Sequence, residues 1–129
     1  LLVKLFPEIP ADHPAMGSIV ANMAANFFGL GNAATPLGIK AMQELQLLND
    51  NKDEASNSMV MFLAINTSSV TLISSSTIAY RVAAGSANAT EIIAPTIVAT
   101  IMSTAVAIIS CKFLEKLPKY KREKIEIKK

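Results

Sequence analysis

The sequence has 129 residues and a mass of 13.7 kDa, and only 17% of it is charged, against roughly 25% in an average soluble domain. That length suits one domain; a 51% hydrophobic content excludes intrinsic disorder, and a net charge of +2 excludes a strongly basic nucleic-acid binder. One cysteine, Cys111, and one histidine, His13, exclude an intramolecular disulfide and a four-ligand zinc site of the usual kind.

Apolar and ionic sequence are sorted into blocks. Residues 14–39, 55–80 and 92–111 contain no Asp, Glu, Lys or Arg, so all 22 charges fall on the remaining 57 positions. Each block holds 20 or more residues, and about 20 residues of helix rise roughly 30 Å, the hydrocarbon thickness of a bilayer. The expectation is an all-α, multipass helical protein of the cell membrane, with a broken helix or re-entrant hairpin and the lipid bilayer as its first partner.

In chain order, residues 1–13 read as the end of a preceding element and a connection, in a chain that is a fragment or a processed form. His13, between Asp12 and Pro14, reads as a cap rather than a metal ligand. The first block has a helical period, with Met16, Ile19, Val20, Met23, Phe27 and Leu30 on one bulky face. Beside it runs a row of small residues, Gly17, Ala21, Ala25 and Gly29, which favours close helix packing. A third row is Ser18, Asn22 and Asn26. Bare amides in hydrocarbon cost several kcal/mol, so these asparagines must meet protein, water or ligand, either fixing helix register or lining a solute path.

From Gly29 to Gly38, three glycines and Pro36 are expected to interrupt the helix. The interruption reads either as a surface turn or as a broken helix whose freed backbone groups line a cavity. Residues 40–54 carry Ala41, Met42, Leu45, Leu47 and Leu48 in a pattern that predicts a short amphipathic helix in a surface connection. Residues 55–80 predict a second spanning helix, although eight of the eleven residues from Thr67 to Thr77 are Ser or Thr. Those hydroxyls suit either a polar helix packed in a bundle or one facing a polar cavity. The third block, from Ile92 to Cys111, predicts a clean spanning helix, with Pro95 in its first turn. Residues 112–129 carry eight Lys or Arg and three Glu and read as a basic cytoplasmic tail, which sets residues 81–91 outside and 40–54 inside.

Catalytic chemistry finds no agents here. The run Gly29-Leu-Gly31-Asn-Ala-Ala34 has the spacing of a dinucleotide fingerprint, but the helical period before it denies the strand that the fingerprint requires. No carboxylate pair lies in an apolar block. The chain is expected to be no enzyme and to need neither cofactor nor metal.

Several runs carry a resemblance: Phe6-Pro-Glu-Ile-Pro10, Asp12-His-Pro-Ala-Met-Gly17, Asn26-Phe-Phe-Gly-Leu-Gly-Asn-Ala-Ala-Thr-Pro-Leu-Gly-Ile-Lys-Ala-Met42, Phe62-Leu-Ala-Ile-Asn-Thr-Ser68, Ile78-Ala-Tyr-Arg81 and Ile92-Ile-Ala-Pro95. They resemble the spore maturation protein A family of endospore-forming bacteria. The resemblance implies a multipass membrane protein with a gate domain, also called a nucleoside recognition domain, here spanning residues 14–111. It also implies a part in forming the dehydrated, mature spore core, with a spore maturation protein B-like companion. Carried over by position, it points to Asn26, Asn32, Thr35 and Pro36 at the first break and to Asn66, Thr67 and Ser68 on the second helix. Ser74 stands where the family leads one to expect proline.

The resulting expectation is part of a permeation or binding path for an unknown small polar solute, uncharged or weakly coordinated, with Asn22, Asn26, Asn32, Asn66 and Thr67 around it. A homo-oligomer is compatible with it. The alternative is a structural membrane assembly factor whose polar rows dock the companion and move nothing.

Overall fold

The computed structural model describes residues 2–117: six α-helices and one 3-10 turn, with no strand among the described residues. Helix α1 (Leu2–Leu5) leads into a connection whose Phe6 and Ile9 are buried with Ala15 and Ile19 of α2 (Pro14–Phe27), Ala41 and Leu45 of α3 (Gly31–Leu47), and Met61, Phe62 and Ile65 of α4 (Asn57–Thr67). Residues 2–13 are therefore part of the core as well as a lead-in. The Glu8 carboxylate reaches the first turn of α4, accepting from the Ser58 amide at 3.2 Å and the Ser58 hydroxyl at 2.8 Å, while Ser56 caps the Met59 amide. A negative charge opposite a helix N-terminus is stabilising. We expect Glu8→Gln to lower stability by about 1 kcal/mol, read as a drop in melting temperature that shrinks at high salt.

His13 caps α2 as expected: its Nδ1 accepts the Ala15 amide at 3.2 Å, and Pro14 takes the first helical position, where its missing N–H costs least. Ile19 is buried and Met16 and Met23 pack on the core, but Val20, Phe27 and Leu30 of the bulky face are exposed. The helix stops in a Schellman arrangement. Gly29, at φ 69°, donates to the Asn26 carbonyl, and Leu30 donates to the Ala25 carbonyl at 2.8 Å. Helix resumes at once as α3, which folds back along α2.

The first interruption is thus confined to residues 28–30, narrower than the composition of residues 29–38 suggests. Pro36 lies inside α3, where it withdraws the single amide that would serve the Asn32 carbonyl, close to the helix start. The amphipathic stretch after Lys40 is the continuation of α3 rather than a separate helix.

The second block corrects the expectation of one helix. It forms α4 and α5 (Ser75–Ala83), separated by seven non-helical residues, 68–74, none of which is proline. The third block forms α6 (Ile93–Leu114), preceded by the 3-10 turn Ala89–Ile92. Together they give a span of 26 residues, Ala89–Leu114, whose most apolar stretch has a mean hydropathy of 2.2 and is not buried, and which is the only described helix long and apolar enough to cross a membrane. At about 1.5 Å per residue, α2 is roughly 21 Å long and α4 roughly 17 Å, so neither spans a bilayer alone. The interruption expected in the first block is present, whereas the single spanning helix expected of the second is replaced by two shorter ones. Of the basic tail, residues 118–129 lie outside the described residues; Lys112 pairs with Glu115 at 3.1 Å.

The small-residue row divides. Ala25 is buried, Ala21 is half-buried and Gly29 sits against a neighbouring backbone, but Gly17 is exposed, with nothing within 4 Å of where a Cβ would lie. Among the described residues Gly17 therefore makes no packing contact. Gly17→Ala is expected to raise stability by about 0.5–1 kcal/mol, since it removes only the conformational freedom of an interior helical glycine; a thermal melt reads the sign.

Candidate functional site

The two interruptions meet. The Phe27 carbonyl at the end of α2 accepts the Leu72 amide at 2.8 Å, and the Gly29 carbonyl accepts the Ser75 hydroxyl at 3.2 Å. The second break thereby satisfies the Phe27 carbonyl that the end of α2 leaves open, and the Gly29 carbonyl just beyond it. The approach is so close that a Cβ on Gly29 would overlap the Ile73 carbonyl oxygen.

Helix α6 holds the second break from the other side. Thr104 Oγ1 donates to the Ser68 carbonyl at 2.7 Å, and Thr100 Oγ1 accepts the Thr71 amide at 3.4 Å. Residues 100 and 104 straddle the midpoint of the Ala89–Leu114 apolar stretch. The 3-10 turn lies beside α5 at one end, and Ile108 and Cys111 pack on the core toward the other, so α6 runs antiparallel to the α4–α5 pair. The crossing of the two breaks is therefore level with the middle of the one long apolar helix. Thr104→Val is expected to cost about 1 kcal/mol by leaving the Ser68 carbonyl without this donor, a loss that thermal unfolding in micelles measures and that Ser103→Val, on an exposed position, does not reproduce.

Next to the crossing lies a chain of three asparagine carboxamides. Asn22, only 1% exposed, donates from Nδ2 to the Ala34 carbonyl at 2.7 Å. Asn26 Nδ2 donates to Asn22 Oδ1 at 3.3 Å and to Asn66 Oδ1 at 2.5 Å. Asn26 and Asn66 occupy matching places, each the next-to-last residue of the helix before its break. Gly38 of α3 sits against the chain: a Cβ there would lie 3.0 Å from Asn22 Nδ2 and 3.4 Å from Asn66 Nδ2.

The chain of amides forms the polar wall of a cleft of about 760 Å³ between α2, α3 and α4. Its lining has no charged side chain; apolar Ile39, Met42, Met59, Phe62 and Leu63 face polar Gln43 and Gln46 besides the asparagines. A lining of this make-up is complementary to neutral molecules with an apolar body and a polar edge.

Of the residues expected at a site, Asn22, Asn26, Thr35 and Asn66 line this cleft. Asn32 and Pro36 are exposed and lie outside it, because α3 is regular there and turns them away. Thr67 and Ser68 also lie outside; their hydroxyls bond back to the Leu63 and Ala64 carbonyls at 2.8 and 2.7 Å, as in a helix that internalises its own polar groups. Gly38, Gln43 and Gln46 were not anticipated. Gly38 lies four residues C-terminal to Ala34, the position that faces Asn22, and helical spacing alone puts the two on one face.

Fold and site define a helical protein of two crossed, interrupted helix pairs with one helix apolar and long enough for a membrane. The chain is 55% identical over 121 residues, 94% of its length, to spore maturation protein A of Bacillus subtilis (strain 168), which supports the resemblance to the spore maturation protein A family. It spans 60% of that relative. No family model and no solved structure matches it.

Proposed function

We propose that the chain is the solute-facing region of a membrane protein required for spore maturation, and that its crossed breaks form part of a permeation or binding path for a small, uncharged polar solute. The relative's name supports the process. The observation that carries the path is the position of the amide chain: three asparagines and an uncharged cleft lie at the crossing of two broken helices, level with the middle of α6. Interrupted helices at the midplane are how many secondary transporters place backbone and amide groups around a solute.

In this reading lipid covers α6, whose Val98, Ile101, Met102, Val106 and Ile109 are exposed, and reaches the hairpin tip at Phe28 and Leu30. The α2–α3 hairpin enters the membrane without crossing it, and the broken α4–α5 pair crosses it as one interrupted span. The basic tail keeps the C-terminus cytoplasmic, with residues 81–91 outside and 40–54 inside. The protein works without covalent chemistry, alongside a spore maturation protein B-like companion, within what the family resemblance calls a gate domain.

The test is uptake of neutral polar solutes into vesicles containing the complete protein, with and without the companion. Uptake that Asn26→Ala abolishes supports the path. Normal uptake combined with loss of companion association in Asn22→Ala and Asn26→Ala proteins would instead assign the amides to docking.

A further inference from the structure

The orientation of the three carboxamides follows from one backbone group. A carbonyl can only accept, so the Ala34 oxygen at 2.7 Å fixes Asn22 with its NH₂ toward α3 and its Oδ1 toward Asn26. Asn26 must then present its NH₂ to Asn22, and the same nitrogen spends its second hydrogen on Asn66 Oδ1. Both hydrogens of Asn26 are thereby used. What remains is one acceptor, Asn26 Oδ1, and one donor group, Asn66 Nδ2, on two amides joined by a single hydrogen bond. Neither atom has a protein partner among the described residues, and neither is among the buried atoms left without one, so both are open to whatever occupies the cleft.

Gly38 keeps that donor open. With any larger residue, a Cβ would stand 3.0 Å from Asn22 Nδ2, pressing on the amide that orients the chain, and 3.4 Å from Asn66 Nδ2, filling the space beside the donor. No charged side chain lines the cleft to neutralise an ion, and Met42, Met59 and Phe62 offer an apolar bed beside the amide pair.

We infer that the cleft selects neutral solutes that present an N–H donor and a C=O acceptor side by side, the edge of a carboxamide or lactam, with Gly38 as a specificity-determining residue. This rests on the solute-binding reading above and narrows it to a chemical class. A solute with only an acceptor satisfies Asn66 and leaves Asn26 Oδ1 without a donor as water is displaced. A polar group stranded in this way costs more than a missing favourable contact would suggest, which makes the discrimination sharp.

The experiment is equilibrium dialysis of the purified complete protein in detergent against δ-valerolactam and its N-methyl derivative, which keeps the ring and the carbonyl but has no N–H. The lactam is expected to bind about tenfold more tightly. In Gly38→Ala protein, checked for an unchanged melting profile, the preference is expected to fall to near unity. Equal binding of the two probes to the unaltered protein overturns the donor–acceptor inference while leaving a neutral-solute cleft in place. Binding of neither probe overturns both. A preference that survives unchanged in Gly38→Ala removes Gly38 from the account.

Discussion

Gly29→Ala is expected to be the most disruptive single-methyl change in the chain. Two independent costs fall on one position: φ of 69° is a backbone conformation that side chains with a Cβ disfavour by about 1–2 kcal/mol, and the new methyl would overlap the Ile73 carbonyl oxygen. Backbone cannot rotate out of the way as a side chain can, so the second break must move off the first. That movement would also sever the Leu72-to-Phe27 and Ser75-to-Gly29 hydrogen bonds. The combined loss is expected to be about 3 kcal/mol or more. Thermal unfolding of Gly29→Ala beside Gly17→Ala measures it with an internal control, because the same chemical change is stabilising at the open position.

Asn26→Leu is expected to have the largest functional effect. The branched shape is kept, but the hydrogens donated to Asn22 and Asn66 disappear, so that Asn66 Nδ2 is no longer held toward the cleft, and with them goes the acceptor that Asn26 offers to the cleft. Losing two hydrogen bonds to a bound solute corresponds to a fall in affinity of about 100-fold. Stability responds less. Interhelical polar pairs in membranes average about 0.6 kcal/mol, so a double-mutant cycle of Asn26→Leu and Asn66→Leu should give a coupling of about that size. A large stability loss with intact affinity would mean that the amides serve register and not recognition.

The parts of the fold that the sequence discloses are those decided within one or two helical turns. His13 with Pro14 announces the start of α2, the three- and four-residue spacing of apolar side chains announces the helix itself, and Gly29 announces its end. Residues 31–38 mislead because Gly31, Pro36 and Gly38 each weaken a helix locally, yet α3 forms through them once packing against α2 contributes. The second break is hidden for a different reason. Its seven residues carry no proline or glycine, and what sustains them lies far away in sequence: Thr104 is 36 residues from Ser68, and Gly29 is 46 from Ser75.

The candidate site divides along the same line. Asn22 and Asn26 are legible as amides one turn apart on an apolar helix, and Asn66 through the family motif. That Asn26 and Asn66 pair with each other across 40 residues is a tertiary fact. So is the role of Gly38, which contributes by lacking a side chain and so leaves no chemical signature in a sequence. Thr67 and Ser68 mark the converse: their hydroxyls are consumed by their own helix, an outcome that hydroxyl-rich helices in apolar surroundings favour.

The account turns on depth, since it places the hairpin tip and the middle of α6 at one level in the bilayer. Power-saturation electron paramagnetic resonance on the complete protein in lipid vesicles measures this, with a nitroxide at Leu30→Cys or at Met102→Cys and the remaining cysteines replaced by serine; both sites are exposed, 56% and 64%. The account predicts that both labels are accessible to oxygen, shielded from a water-soluble nickel complex, and within about 5 Å of each other near the bilayer centre, a tolerance of some three residues of helical rise. A Leu30 label at headgroup depth or in water, with Met102 at the centre, would contradict it.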